Sequence, residues 1–269
     1  VDKLVSKIKF SARILYIIYV GLTVLQTILL LAGGLSFFDS ITTAFSTAGT
    51  GGFSVRNAGI AAYDSIYCEI IVTVFMALFG LNFNLYYLII IGSVSSALKS
   101  EEMHWYLGIM VSSGLIMTLN IMHLYDNAGL ALVDAMFQSS SIMTSTGFAK
   151  SDYLQWPKLS QTLIIILMFI GACSGSTGGG LKVSRVIILI KSSINDIKRR
   201  LLPNSVTITK LENKIVPAET VNSVNSYFVI YCIIIAVSVL ILSFDTADSF
   251  PTIFSSVVTC FNNIGPGLD

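Results

Sequence analysis

The sequence predicts an all-α membrane protein built from repeated units, each with a spanning helix, a short re-entrant helix and a second spanning helix. Three observations support this fold class. Of the 269 residues, 54% are hydrophobic and only 12% are charged, whereas soluble domains carry about 25% charged residues. Five stretches approach the roughly 20 apolar residues that cross a bilayer: 14–31, 66–91, 105–122, 159–190 and 227–242. Three shorter segments, two between these stretches and one after the last, resemble one another.

The short segments are "SFFDSITTAFSTAGTGGFS", "ALVDAMFQSSSIMTSTGFA" and "ADSFPTIFSSVVTCFNNIGPG". Each begins near an acidic residue (Asp39, Asp134 or Asp248), continues as a Ser- and Thr-rich helical stretch, and ends on Gly followed by Phe or Pro. The acid precedes the final Gly by 13 residues in the first two segments and by 17 in the third. Because a repeat defines the architecture, these segments predict the re-entrant element of each unit.

The repeat divides the chain into three units. Residues 1–100 are predicted to form a helix, a pore loop and a helix. Residues 101–215 form a second unit, whose last helix is interrupted and is followed by a basic cytoplasmic loop. Residues 216–269 form a third unit without its last helix. Since the chain begins at Val1 and ends on "NNIGPGLD", we expect it to be incomplete.

Lysine and arginine placement predicts the orientation, because these residues are enriched in cytoplasmic loops. Only Arg56, Lys150 and Lys158 fall beside the short segments. The other basic residues outside the spans lie before the first span or in the loops after the second and fourth: Lys3, Lys7, Lys9, Arg13, Lys99, Lys191, Lys198, Arg199, Arg200, Lys210 and Lys214. The ends of the units are therefore predicted to be cytoplasmic, and the Gly-ended loops to open outside.

The three Gly-ended loops are candidates for an ion pathway. Non-helical backbone at membrane depth is tolerated only where protein buries it or where it lines a watery cavity. Loops of Gly, Ser and Thr can turn carbonyl oxygens inward and replace the water around a cation. The partly negative end of each preceding helix favours cations as well. The alternative is that these loops are ordinary extracellular turns, but the occurrence of three loops with the same helix pattern argues against it. The predicted filter residues are Thr50, Gly51, Gly52, Ser145, Thr146, Gly147, Asn263, Ile264 and Gly265.

Together with "GLNFNLYY" at 80–87 and "GACSGSTGGGLKVSR" at 171–185, these loops resemble the Trk/Ktr/HKT superfamily of potassium transporters. The "GPG" of the third loop is similar to TrkH-like membrane subunits. The resemblance implies four non-identical, potassium-channel-like units around a pseudo-fourfold pore. The units here would be the second to the fourth, with the first absent.

The resemblance also implies a function. It implies potassium uptake across a bacterial inner membrane by a multi-pass protein that contacts membrane lipid, with potassium as the substrate held at the filter residues. It implies a homodimer and a cytosolic, nucleotide-binding, TrkA-like regulatory subunit. It implies no organic cofactor on this chain. A membrane enzyme or receptor with Gly-rich extracellular turns is the rival from another class; it predicts a catalytic cluster of His, Asp or Ser near one face, and the sequence shows none, so enzymatic activity is not expected. A sodium-selective or sodium-coupled member of the same superfamily is the alternative.

A Gly-rich run interrupts the fourth apolar stretch. Glycine costs about 1 kcal/mol relative to alanine inside a helix, and four glycines fall between Gly175 and Gly180. The resemblance implies that this run lies across the pore as a gate: Gly175, Ser176, Thr177, Gly178, Gly179 and Gly180. Lys182 and Arg185 follow it. These cations could repel or meter passing potassium. Alternatively, they satisfy carbonyl groups and approach the cytoplasmic interface, which is the interpretation favoured for Arg185.

Other signals are weaker. The net charge of +1 argues against nucleic-acid binding, which needs a basic excess. The Gly-rich run is not a nucleotide loop, because Lys182 arrives one place late for that motif. The basic loop 191–214 is predicted to dock the regulatory subunit or to contact lipid. Glu69 has either a functional or a structural role. Asn82 and Asn84, within a continuous span, are expected to bond between helices; direct contact with the ion is the alternative.

Overall fold

The computed structural model describes residues 2–202, 207–245 and 248–267. Nearly all regular structure within them is helical, which confirms the all-α class. Two short strands, β1 (Lys210–Leu211) and β2 (Lys214–Ile215), form an antiparallel hairpin. The α-helices are α1 (Asp2–Ala32), α2 (Phe37–Ala48), α3 (Ile66–Phe79), α4 (Phe83–Ile90), α5 (Val94–Leu98), α6 (Glu101–Ile121), α7 (Ala128–Met143), α8 (Lys158–Ile170), α9 (Val183–Leu201), α10 (Ala218–Asp245) and α11 (Phe250–Phe261). Short 3₁₀ turns cover Gly59–Tyr63, Met122–Leu124 and Tyr153–Gln155.

Three helical segments of the described chain are long and apolar enough to cross a membrane without a break: Ala12–Ala32, Glu101–Leu124 and Ala218–Phe244. They match the first, third and fifth predicted stretches. The fourth stretch is divided into α8 and α9, as its glycines predict. The second stretch is divided as well, because α3 and α4 meet at an angle of 88°.

The prediction of a continuous helix over 66–91 is therefore wrong. Helix α3 ends at Gly80, where a Cβ atom would meet the hydroxyl of Tyr106 and the Thr144 methyl group. Asn82 then begins α4, and its side-chain oxygen accepts the N–H of Asn84 at 3.0 Å, as is typical of an N-cap. Asn82 thus caps a new helix instead of bonding between helices.

The short helices α2, α7 and α11 are the re-entrant elements of the predicted repeat. Helix α2 packs between α1 and α3, α7 packs against α6, α3 and α8, and α11 packs against α10 and α8. Each of these three helices is therefore held by at least two neighbouring helices. The unit boundaries at residues 100 and 215 remain predictions.

Buried hydroxyl groups fix the position of α7. Ser139 donates to the carbonyl of Met110 on α6 at 2.8 Å, and Ser140 donates to that of Thr73 on α3 at 3.1 Å. Both serines are fully buried. Because a buried hydroxyl without a partner is costly, these bonds hold α7, and the loop that follows it, in one place relative to α3 and α6.

Candidate functional site

The three Gly-ended loops, residues 49–53, 144–148 and 262–266, leave their helices through the same turn. In each, one N–H bonds to the carbonyl three residues back, and the next N–H bonds to the carbonyl five residues back. This pattern is the Schellman motif. The first bonds are Thr50 to Thr47 at 3.1 Å, Ser145 to Ile142 at 3.0 Å and Asn263 to Cys260 at 3.2 Å; the second are Gly51 to Ser46 at 2.8 Å, Thr146 to Ser141 at 3.0 Å and Ile264 to Thr259 at 2.9 Å.

The loops also share positive φ angles at two of their three filter positions. The first filter position is left-handed in all three, with φ of 49° at Thr50, 55° at Ser145 and 57° at Asn263. The third position is left-handed again, in Gly52, Gly147 and Gly265. Asn tolerates this region, whereas other L-residues pay about 1–2 kcal/mol for it. Such strain, repeated at corresponding positions, is typical of functional backbone.

The shared turns correct the alignment of the third segment. With Gly52, Gly147 and Gly265 as corresponding residues, the position of Asp39 and Asp134 is occupied by Thr252 in the third segment. Asp248 lies two residues before the first residue of α11, so it is not the counterpart of the other two acids. The longer spacing in the sequence reflects this difference.

The loops lie side by side, with backbone against backbone. A Cβ atom at Gly52 would collide with the carbonyl oxygen of Thr146, and one at Gly147 would collide with the carbonyl oxygen of Ile264. The 49–53 loop therefore touches the 144–148 loop, which touches the 262–266 loop. Glycine is required at both contacts because no side chain fits between the neighbouring main chains.

Hydroxyl groups support two of the loops from behind. Ser141 donates to the carbonyl of Phe148 at 2.8 Å, and Thr259 donates to that of Pro266 at 3.0 Å. Both donors precede the filter Gly by six residues. Ser46 is at the same position in the first segment, but its hydroxyl has no hydrogen-bond partner among the described residues. Sequence reasoning missed these supports, although a Ser or Thr at this fixed distance is a usable signal.

An ionic cluster lies beside the second loop. The ammonium group of Lys150 bonds to Glu69 at 2.7 Å and also to Asp134. All three side chains are buried or nearly so, with 15%, 6% and 7% exposure. Burial lowers the pKa of Lys150, but hydrogen bonds and charges from Asp134 and Glu69 outweigh burial and raise that pKa above its ordinary value. Of the two roles open for Glu69, the ion pair supports the structural one.

The Gly-rich loop, residues 171–182, leaves the end of α8 and returns to it. The N–H of Leu181 bonds to the carbonyl of Phe169 at 3.1 Å, and the N–H of Val183 bonds to that of Ala172 at 3.0 Å. Gly171 and Gly180 are so close that neither has room for a Cβ atom. The loop therefore has a narrow base, and residues 173–179 project from it.

The projecting part of the Gly-rich loop touches all three Gly-ended loops. Thr50 donates through its hydroxyl to the carbonyl of Thr177 at 3.1 Å. The N–H of Gly179 donates to the hydroxyl of Ser145, and a Cβ atom on Gly179 would collide with the carbonyl of Asn262. The predicted filter and gate residues are thus brought together.

The Gly-rich loop also fills the break between α3 and α4. The N–H of Cys173 bonds to the carbonyl of Gly80 at 3.0 Å, and the N–H of Phe83 bonds to the carbonyl of Gly175 at 3.2 Å. Buried backbone groups that lose their helical partners need others. The break between α3 and α4 and the break between α8 and α9 therefore satisfy each other's unpaired backbone groups.

The two cations after the Gly-rich loop contact carbonyls and a neighbouring helix. The ammonium group of Lys182 bonds to the carbonyls of Gly178 and Cys173. Arg185 bonds to the carbonyl of Leu181 at 3.4 Å, and its guanidinium lies 4.5 Å from the ring centre of Tyr227 on α10. Such a cation–π contact contributes about 0.5–1 kcal/mol at exposed sites. These contacts favour carbonyl satisfaction over repulsion of a passing ion.

Comparison with known proteins places this arrangement in a family. Residues 110–269, more than half of the chain, match the family model "TrkH: Cation transport protein". The chain belongs to the TrkH family of cation transport proteins. The TrkH potassium uptake protein of the Trk system from Salmonella typhimurium is 35% identical over 99% of this chain, and that of Escherichia coli K12 is 34% identical over the same share. The chain spans 56% of the length of each of these relatives.

The fold is that of a solved TrkH-family structure. The crystal structure of the potassium transporter TrkH from Vibrio parahaemolyticus superimposes with a TM-score of 0.91 at 32% identity, over 97% of this chain and 57% of the other. The TrkG potassium uptake protein of Escherichia coli K12 is 30% identical over 99% of this chain. The apolar helices and the family membership make this chain a multi-pass membrane protein of a transporter family, and not an enzyme.

Proposed function

We propose that the chain forms the second, third and fourth units of a potassium pore, with the three Gly-ended loops as its selectivity filter. The alternation of positive φ at the first and third filter positions with non-positive φ at the position between them, in all three loops, carries this proposal. Such alternation turns successive carbonyl groups toward one side, where their oxygens can replace the hydration shell of a cation. Helices α2, α7 and α11 also direct their negative ends toward these loops. The relatives are named as potassium uptake proteins, which supports potassium as the ion.

The Gly-rich loop is proposed to be the gate of this pore. It contacts all three filter segments through Thr177, Gly178 and Gly179, so an ion that leaves the filter meets it first. Its narrow base allows the projecting part to move while α8 and α9 stay in place. Small residues lower the steric barrier to this movement.

The positions of the basic residues support an inner-membrane orientation with the filter facing outward. The proposal includes a homodimer and a cytosolic, nucleotide-binding regulatory subunit, as the sequence resemblance implies; the words "Trk system" in the relatives' names fit a partner subunit. Helix α9 ends with Lys198, Arg199 and Arg200. With the segment that follows, it is proposed to dock this subunit.

Cation flux into proteoliposomes tests the filter and the gate separately. The test uses the full-length protein with and without residues 175–180; the deletion joins Ser174 to Leu181, whose N–H is already bonded to the carbonyl of Phe169. We expect faster rubidium and potassium uptake after the deletion, with the preference for potassium over sodium unchanged, because the filter loops remain. If the deletion leaves uptake unchanged, the Gly-rich loop is not the gate. If the intact, folded protein prefers sodium or moves no alkali cation, the potassium filter is wrong.

A further inference from the structure

The hairpin between α9 and α10 has an unexpected residue at its turn. Glu212 and Asn213 join β1 to β2, and both are left-handed, with φ of 52° and 59°. A two-residue turn with two positive φ values is type I′, which favours Asn, Asp and Gly. Asn213 fits this preference and Glu212 does not. Another interaction of Glu212 must offset the strain.

That interaction is with the beginning of α6. The Oε1 atom of Glu212 accepts the hydroxyl of Ser100 at 2.7 Å and the N–H of Glu102 at 3.1 Å. Ser100 is the N-cap of α6. A carboxylate at this end of a helix is stabilised by unpaired N–H groups and by the helix dipole. The hairpin is therefore fastened to the first turn of α6 through the Glu212 side chain.

The side chain of Glu102 continues from this turn into the Gly-rich loop. Its Oε1 atom accepts the N–H of Ser174 at 2.6 Å and the N–H of Ser184 at 3.2 Å. Ser174 lies within the Gly-rich loop, and Ser184 lies in the first turn of α9. Glu102 is only 6% exposed. One buried carboxylate oxygen thus joins the two sides of the loop.

The geometry points to a latch, formed by Glu102 and Glu212, that connects the hairpin to the gate. Glu102 is a positioning residue that holds the Gly-rich loop beneath the filter. Glu212 holds the first turn of α6, and with it Glu102, in the position where these bonds form. A protein that binds the hairpin and draws Glu212 away releases the loop. This inference rests on the proposed function, because it names the regulation of the proposed gate.

The neighbouring residues provide matched controls. Glu101 precedes Glu102 and forms an ion pair with Lys191, which also donates to the carbonyl of Lys210 in β1 at 2.9 Å. Glu101 is thus a second link between α6 and the hairpin, but it is not bonded to the Gly-rich loop. Asn213 follows Glu212 in the turn. The substitution N213G keeps the type I′ turn and leaves the Glu212 carboxylate in place. Neither E101A nor N213G should affect the loop.

Amide hydrogen exchange of the full-length protein, resolved to single residues by mass spectrometry, tests the latch without any measurement of transport. The informative amide is that of Gly179, which is bonded to Ser145 and not to either acid. We expect E102A and E212A each to increase its exchange rate about tenfold, since a bond to a charged group is stronger than an ordinary one. E101A and N213G should leave the rate unchanged. The double variant should exchange no faster than E102A.

Each outcome decides the question. E212A removes no partner of any loop amide, so faster exchange at Gly179 in this variant must be transmitted through α6. An unchanged rate in E212A overturns the connection to the hairpin, and an unchanged rate in E102A overturns the positioning role. If E102A does not fold, E212A on the surface hairpin still carries the test. If E102A and E212A change the exchange rate of the Gly179 amide in a protein that conducts no cations, the result supports the latch and contradicts the pore.

Discussion

Replacing Lys150 should destabilise the protein far more than replacing Arg56, although both cations pair with the acid of a re-entrant helix. Lys150 bonds to Glu69 and Asp134, and the K150M substitution leaves these two carboxylates buried and close together. Removing one partner of a buried ion pair costs about 3–5 kcal/mol. Asp134 keeps hydroxyl donors from Tyr125 at 2.7 Å and Ser151 at 2.5 Å. The expected loss is therefore near the lower end, about 3 kcal/mol.

The control is R56M. Arg56 bonds to Asp39 at 3.3 Å, but its side chain is 58% exposed, and exposed pairs contribute about 0–1 kcal/mol. The assay is unfolding of the detergent-solubilised, full-length protein. Adding E69Q and D134N to K150M should restore most of the stability, because no buried charge then remains in this cluster. Equal losses in K150M and R56M, or no recovery in the triple variant, would refute the reasoning.

The pH dependence has a definite sign. The pKa of Lys150 is raised in the folded protein above its ordinary value of 10.5. The contribution of its charge to the free energy of unfolding is therefore complete below that value and is lost as the pH rises through the raised pKa. The stability difference between the unmodified protein and K150M should stay constant around neutral pH and shrink in strong alkali.

Two further predictions concern the filter loops, with selectivity measured by competition between potassium and sodium for uptake. G147A should lower the preference for potassium about tenfold or more, equivalent to about 1.4 kcal/mol, because its methyl group would displace the carbonyl of Ile264. The control is G265A. Gly265 also has a positive φ, but no atom lies within 4 Å of a Cβ there, so this substitution should change the preference much less. S141A frees the carbonyl of Phe148 and loses a bond of about 1 kcal/mol, so selectivity should fall roughly fivefold. The hydroxyl of Ser46 has no partner in the described chain, so S46A should behave as the unmodified protein. Equal effects of G147A and G265A, or of S141A and S46A, would contradict the roles given to Gly147 and Ser141.

The sequence predicts the features that repeat. The three loops are recognisable because Gly, Ser and Thr recur after short helical stretches, and the interrupted stretch is recognisable because glycines cluster in it. The prediction failed where a single residue decides the structure. The break at 80–82 lies in an apolar run whose average hydrophobicity conceals it, although Gly80 and Asn82 are the residue types that end and begin helices.

The connections between distant segments were not predictable in the same way. Glu102 and Glu212 are 110 residues apart in the chain, and neither belongs to a motif. Their pairing depends on how the hairpin lies against α6, which local patterns do not encode. The backbone angle of Glu212 is also invisible in the sequence, because a Glu between two two-residue strands resembles any solvent-exposed residue.

The complementary breaks of α3–α4 and α8–α9 also have a consequence for biogenesis. Until the Gly-rich loop has been synthesised and inserted, the carbonyls of Phe79 and Gly80 lack the partners they have in the final structure. An unsatisfied backbone group in lipid costs several kcal/mol. Residues 66–91 should therefore cross the nascent membrane in another form, such as a straight helix, and bend only when the later segment arrives. The repeats look like independent modules, but they cannot mature one at a time.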